Sequence, residues 1–126
     1  MNFSKKEEKI IGSFYRYIIT PKPKKELYLL KWKHGTEIYA KSDIIYETDN
    51  NLELDDSNYE DFVGIAILIK KIIRFNMDDN IFPDDSINHQ NVCDWFKENH
   101  LYELNYHNFP DEIYNSKGEL ISKRED

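Results

Sequence analysis

Apolar residues recur at helical spacing near the start of the chain and in shorter runs further on. The first four of these residues are Ile10, Ile11, Phe14 and Ile18. Their spacing is that of one face of an amphipathic helix. Ser4 and Glu7 precede them as a capping-box pattern. The sequence therefore predicts a helix within residues 1–20, which ends before Pro21 because proline disfavours helical backbone in the residue before it.

The rest of the chain is typical of an antiparallel sheet. Residues 21–26 contain two prolines and predict a linker. Runs with alternating or continuous apolar residues, separated by turn residues, predict strands at 27–33, 36–40, 43–48, 101–106, 112–114 and 119–121. A short helix is predicted at 91–99, within the sheet region 27–121, and residues 122–126 are expected to be a frayed tail. The chain is therefore predicted to be one α+β domain with two helices.

The run from Tyr59 to Phe75 fits either a strand or a helix. Its apolar residues include a set at helical spacing, and Ser57 and Glu60 again form a capping-box pattern. β-branched residues dominate, however, and both faces of the run are apolar, as in a strand covered on both sides. The pattern favours a central strand, and the run must be buried in either case.

Charge is unevenly distributed along the chain. The formal net charge is −7 at pH 7. Residues 1–41 contain ten basic and four acidic residues, whereas residues 42–126 contain seven basic and twenty acidic ones. A chain of this charge repels nucleic acid on average and attracts basic partners. We therefore expect a protein partner with a basic surface and no nucleic acid.

The segment from Ile44 to Ile69 carries the clearest functional signal. Its first part is acidic, and its second part is the most apolar run of the chain. Unpaired carboxylates are too costly to bury, so the acidic part must lie in solvent at the edge of the core. We expect partner contacts from its carboxylates and from two tyrosines that could serve as aromatic anchors. These candidates are Tyr46, Glu47, Asp49, Glu53, Asp55, Asp56, Tyr59, Glu60 and Asp61.

The same segment has some features of a calcium-binding loop. Residues 49–60 place oxygen-bearing side chains at several positions that an EF-hand loop uses. Leu54, however, stands where such a loop needs glycine, and the residues before the segment predict a strand instead of a helix. The pattern favours a solvated acidic loop, and we predict no metal site.

Two other groups of residues allow alternative interpretations. His89 and Cys93 are spaced as two metal ligands on one helix would be, but a second ligand pair is missing. Lys31, Trp32 and Lys33 combine cations with an aromatic ring, as single-stranded nucleic-acid sites do. The negative charge of the rest of the chain favours instead a solvated strand face with Trp32 in the core. Neither group predicts a cofactor.

The composition is typical of a cytoplasmic protein. Cys93 is the single cysteine, which excludes an internal disulfide and fits a reducing compartment. The first residues lack the apolar stretch of a signal peptide. Apolar runs are also too short to span a membrane. We therefore expect a cytoplasmic protein with no membrane partner.

Two segments resemble parts of small bacterial immunity proteins, which are encoded beside polymorphic toxins. They are YETDNNLELDDSNYEDF with the apolar stretch after it, and the C-terminal FPDEIYNSKGELI. The resemblance implies a cytosolic protein that binds and blocks one toxin domain, often a nuclease. It implies no functional residue, because immunity families differ in fold.

The first hypothesis is therefore a non-enzymatic immunity protein that covers a basic surface of its toxin with acidic loops. A small enzyme or ligand-binding domain with a pocket beside the sheet is the alternative, although no catalytic motif favours it. A phage-encoded antagonist of a host defence protein would share the same sequence features. Fold alone does not separate these functions.

Overall fold

An N-terminal helix and a six-stranded antiparallel sheet make up most of the described part of the chain. The computed structural model describes residues 3–21, 26–49, 52–79, 81, 90, 92, 94 and 101–124. The elements are α1 (Lys5–Ile19), β1 (Tyr28–Lys31), β2 (Glu37–Asp49), β3 (Asp61–Arg74), a 3-10 turn (Met77–Asp79), β4 (Leu101–Leu104), β5 (Glu112–Tyr114) and β6 (Leu120–Lys123). The strand order is β4-β3-β2-β1-β5-β6, and neighbours are antiparallel. The predicted α+β class is confirmed.

Helix α1 begins at the predicted capping box. Ser4 Oγ accepts a hydrogen bond from Glu7 N at 3.1 Å, and Glu7 Oε1 accepts one from Ser4 N at 3.3 Å. The reciprocal bonds satisfy two donors that the first turn of a helix leaves without partners. At the other end, Thr20 has extended backbone and stops the helix before Pro21.

The core lies between α1 and one face of the sheet. The Phe14 ring is 5.2 Å from the Tyr28 ring, edge to face, and 6.0 Å from the Phe109 ring. Aliphatic residues from the helix and five strands fill the rest of this layer. The fully buried ones include Ile10, Ile11, Leu30, Ile38, Ile65, Leu104 and Ile113.

β3 is an interior strand, between β4 and β2, as its two-faced apolarity predicts. Every residue from Phe62 to Ile67 is buried. Gly64 allows the Tyr46 ring of β2 to lie directly on the β3 backbone, since a Cβ at this position would be 2.8 Å from that ring. The strand prediction for this run is confirmed, and the capping-box pattern before it does not start a helix.

β2 runs unbroken from Glu37 to Asp49, although we expected Lys41 and Ser42 to interrupt it. Its pairing register with β3 shifts between Ser42 and Ile45. A bulge of this kind bends a strand without ending it. The polar residues therefore lie within one long strand instead of between two short ones.

The C-terminal residues are held more firmly than we predicted. Ser122 and Lys123, assigned to a frayed tail, belong to β6, and Ser122 is buried. Arg124 N donates to Asp111 O at 2.8 Å, and the Arg124 guanidinium donates to Phe109 O at 3.0 Å. The tail prediction is therefore wrong for residues 122–124.

Some predicted features lie outside the described residues. They include most of the linker, the pair His89 and Cys93, and most of the helix at 91–99. Within that helix, Val92 and Asp94 are described, and both have helical backbone.

Candidate functional site

The predicted partner-binding residues lie together at one end of the hairpin formed by β2 and β3. Asp49 and Asp61 are the last residue pair there and lie directly opposite each other. The loop containing residues 52–60 joins the two strands. We call residues 46–49 and 52–61 the acidic hairpin end. Like charges opposed in this way repel each other, so a bound cationic group would relieve the repulsion.

The structure divides these candidates by exposure. Five carboxylates are exposed: Glu47, Glu53, Asp55, Asp56 and Asp61. The four half-buried candidates are Tyr46, Asp49, Tyr59 and Glu60. The exposed residues can contact a partner along their full side chains, whereas the half-buried residues also make contacts within the protein.

Backbone hydrogen bonds shape the exposed loop. Asp56 N donates to Glu53 O at 3.0 Å, and Tyr59 N donates to Asp56 O at 2.9 Å. The Asp56 carboxylate also accepts a bond from Asn58 N at 2.8 Å. These bonds make two consecutive turns, which give the loop a defined shape.

Leu54 stands out within this loop. Its side chain is 81% exposed, although it lies between the acidic residues Glu53 and Asp55. Sequence reasoning treated it only as a departure from the calcium-loop pattern. The signal that could have identified it is an isolated large apolar residue in an otherwise polar segment.

Glu60 points inward and fastens the loop to the body of the protein. Its carboxylate accepts a hydrogen bond from the Tyr106 hydroxyl, and its Oε1 is 2.6 Å from His107 Nε2. The bond from Tyr106 lowers the pKa of Glu60 below its usual value, and His107 acts in the same direction. Burial and the Glu60 carboxylate raise the pKa of Tyr106 to about 12, so its hydroxyl stays a donor at neutral pH.

Tyr46 also has a partner within the protein. Its hydroxyl donates to Glu103 Oε1 on β4 at 2.5 Å, and Glu103 Oε2 accepts a bond from Asn105 Nδ2 at 2.9 Å. Burial, and then Glu103, raise the pKa of Tyr46. This bond spans β3 and links β2 to β4, so the predicted aromatic anchor braces the sheet beside the acidic hairpin end.

Tyr59 lies half-buried among carboxylates. Partial burial raises the pKa of its phenol, and the negative charges of Asp49 and Asp61 raise it further. A neutral phenol can donate a hydrogen bond to a carboxylate. Tyr59 therefore lies beside Asp49 and Asp61 at the acidic hairpin end, with Asp49 as the acceptor of its hydroxyl.

The calcium-loop interpretation finds no support in this geometry. The loop is flanked by strands on both sides, whereas an EF-hand loop is flanked by helices. Among the residues that the structure describes, no three acidic, histidine or cysteine side chains are grouped as metal ligands would be.

A second acidic pair, Asp78 and Asp79, lies near the opposite end of the hairpin. The Asp79 carboxylate accepts hydrogen bonds from His34 N at 2.6 Å and from Thr36 N at 2.9 Å. Asn76 Nδ2 adds a bond to His34 O at 2.8 Å. Asp79 therefore holds the turn between β1 and β2, while Asp78 is exposed.

The basic residues Lys31 and Lys33 do not flank an exposed aromatic ring, because Trp32 between them is buried. Trp32 is 6% exposed, and its indole N–H donates to Asn108 O at 2.8 Å. Lys31 Nζ lies 3.5 Å from Glu37 Oε1 and 5.1 Å from the centroid of the Tyr114 ring. A buried ring cannot stack on a base, which removes one of the two parts of a single-stranded nucleic-acid site.

Comparison with known proteins assigns the chain to the immunity proteins, which neutralise a cognate toxin. The family model described as "Cognate immunity protein YxxD" matches residues 11–126, and the chain belongs to this family. The resemblance found in the sequence is thus confirmed, and the partner is a protein toxin. Searches of curated proteins and of solved structures found no match. No helix in the described ranges has both the length and the apolarity to cross a membrane.

Proposed function

We propose that the chain is a non-enzymatic, cytoplasmic inhibitor that covers a basic surface of its toxin with the acidic hairpin end. Five exposed carboxylates at one end of one hairpin carry this proposal. Residues 42–69 contain no Lys or Arg, so these carboxylates have no cation within their own segment. A toxin surface rich in Lys and Arg would supply the missing positive charge.

The proposed toxin is a nuclease. A nuclease site must hold phosphate groups, and proteins hold these largely with Lys and Arg. A carboxylate surface is complementary to such a site, which speeds association and keeps the substrate away. The acidic hairpin end has the charge that this role requires.

The shape of the acidic hairpin end is set before binding. Glu60 joins the loop to Tyr106 and His107, and two consecutive turns set its backbone. An interface that is already ordered loses less conformational entropy when it binds. The exposed carboxylates can therefore act as a fixed pattern of charges.

A protection assay tests the proposed surface. The tip variant carries Asp55→Lys and Asp56→Lys, and the control variant carries Asp78→Lys and Asp94→Lys, which change the net charge equally at exposed positions elsewhere. Cells that express the toxin domain encoded beside this chain's gene should survive with the wild type and the control variant but not with the tip variant. Survival with the tip variant, at equal protein levels, would contradict the proposal.

A titration tests the non-enzymatic mechanism and the nuclease assignment. Purified toxin domain and labelled DNA or RNA are mixed with increasing amounts of this protein. We expect cleavage to stop at an equimolar ratio, because an inhibitor acts by occupancy. Complete inactivation at a small fraction of that ratio would indicate an enzyme that modifies the toxin. A toxin domain that kills cells without cleaving either nucleic acid would contradict the nuclease assignment.

A further inference from the structure

We infer that Leu54 is the apolar anchor of the toxin interface and inserts into an apolar pocket rimmed by Lys or Arg. This inference rests on the proposed function, since it takes the acidic hairpin end as the toxin-binding surface. It identifies an interface residue that is not charged and that the charge pattern of the sequence does not reveal.

Exposure sets Leu54 apart. Its side chain is 81% exposed, against 59% for Ile44, 57% for Leu101 and 48% for Leu120, and it ranks highest among the large apolar residues that the structure describes. It also does not belong to the hydrophobic core. A single exposed leucine is common, but this one lies in the loop that joins β2 and β3, among exposed carboxylates, in a protein whose function is to bind another protein.

The turn geometry presents Leu54 in a defined position. Leu54 and Asp55 are the two central residues of the turn closed by the 3.0 Å bond from Asp56 N to Glu53 O. The next turn, closed from Tyr59 N to Asp56 O at 2.9 Å, connects the loop to the half-buried Tyr59 and Glu60. An apolar side chain fixed in this way resembles the central anchors of protein interfaces, which fill a pocket and are ringed by polar contacts.

The charges around Leu54 define the chemistry of its pocket. Glu53, Asp55 and Asp56 are exposed and surround the leucine in sequence. A pocket that accepts Leu54 must bring its rim close to these carboxylates, and a neutral or acidic rim would leave them desolvated without a counter-ion. The rim must therefore carry Lys or Arg, while the floor must be apolar to favour burial of leucine.

Leu54 and the carboxylates around it should affect different rate constants of toxin binding. Rim charges act mainly on association, whereas a side chain buried in a pocket acts mainly on dissociation. Leu54→Ala should raise the dissociation rate roughly tenfold to a hundredfold, the factor that corresponds to burial of a leucine side chain. Its association rate and the salt dependence of that rate should stay within about twofold of wild type.

Binding kinetics with a catalytically inactive form of the neighbouring-gene toxin domain test this inference. The matched control is Leu120→Ala, which removes the same atoms from an exposed leucine on β6, and it should not change either rate. Leu54→Met should restore most of the affinity, since methionine has a similar volume and polarity. Melting curves should show both alanine variants to be as stable as wild type.

The outcomes separate the anchor from the acidic surface. Faster dissociation of Leu54→Ala, with Leu120→Ala unchanged, supports the anchor. An unchanged dissociation rate of Leu54→Ala, together with slower association of the tip variant, would overturn the anchor and leave the acidic surface in place. Unchanged binding of both variants would overturn the proposed surface and the anchor with it.

Discussion

The two acidic clusters of this protein are alike in sequence and different in structure. Asp55 and Asp56 are exposed, and the side-chain bond of Asp56 goes to its own loop. Asp78 and Asp79 have the same composition, yet the Asp79 carboxylate receives two backbone N–H groups of another turn. Asp55 and Asp56 thus both face solvent, whereas Asp79 of the second cluster stabilises the fold.

This difference shows how a charge pattern should be interpreted. An acidic side chain that accepts hydrogen bonds from backbone N–H groups stabilises the folded state. Replacing it with a residue that cannot accept these bonds leaves the N–H groups without a partner. An exposed carboxylate contributes little to folding, so its presence calls for another explanation such as solubility or binding. The hydrogen-bond partners of an acidic cluster therefore say more about its role than the number of its charges.

The largest expected effect comes from the core beneath the acidic hairpin end. Phe62 is 8% exposed, and its ring is 6.2 Å from the Tyr106 ring and 5.8 Å from the His107 ring. Phe62→Ala should lower the free energy of unfolding by about 3–5 kcal/mol. Urea denaturation measures this effect. Toxin binding should be lost together with the fold, and a folded Phe62→Ala protein that no longer binds would contradict this explanation.

The next largest effect on stability is expected at Asp79, the acidic residue that accepts two backbone hydrogen bonds. Asp79→Ala should lower the free energy of unfolding by about 2 kcal/mol, because it removes a charged acceptor from His34 N and Thr36 N in a partly exposed site. Asp78→Ala is the matched control and should change stability by less than about 0.5 kcal/mol. Thermal or urea unfolding checks both variants. Equal stabilities of the two would remove the distinction drawn between the neighbouring aspartates.

A smaller effect is expected for Glu60. Glu60→Gln should lower the free energy of unfolding by about 1 kcal/mol at pH 7, a value reduced for the partial exposure of the site. Because the folded state lowers the pKa of Glu60 from 4.5, its stabilisation is present above that value and is lost as the pH falls through the lower, folded-state pKa. The difference from wild type should therefore disappear in acid.

Urea unfolding at pH 7 and at a series of pH values descending from 4.5 measures this dependence, with Glu53→Gln as the control. Glu53 is exposed in the same loop and should show no difference at any of these pH values. A Glu60→Gln variant as stable as wild type at pH 7 would mean that the contacts with Tyr106 and His107 do not fasten the loop.

Local patterns predicted much of the fold. The helix spacing around Phe14 and the two-faced apolarity of residues 62–69 depend on neighbours along the chain, and both led to the correct element. The bulge near Ser42 and the strand pairing of Ser122 did not follow from the sequence, because both depend on the register of a partner strand.

The candidate site could be predicted only in part, for a related reason. The acidic segment is continuous in sequence, so its charges were visible. The contacts of Glu60 with His107 and of Tyr46 with Glu103 join residues that are 47 and 57 positions apart. Sequence spacing does not reveal such contacts, and without them all nine candidates look equally exposed.

The salt dependence of the association rate tests the central claim most directly. The tip variant should lower the free energy of unfolding by no more than about 1 kcal/mol, because both sites are exposed and only the bond from Asn58 N to the Asp56 carboxylate is lost. Association with the inactive toxin domain is measured by stopped flow at about 0.05 M and about 0.5 M salt, between which exposed charges become largely screened. Wild type and the control variant should both associate faster at low salt, as electrostatically steered complexes do.

The tip variant should associate more slowly than both at low salt and should lose most of its salt dependence. If the tip variant and the control variant give the same rates at both salt concentrations, the acidic hairpin end does not steer the toxin, and the claim that it forms the toxin-binding surface is contradicted.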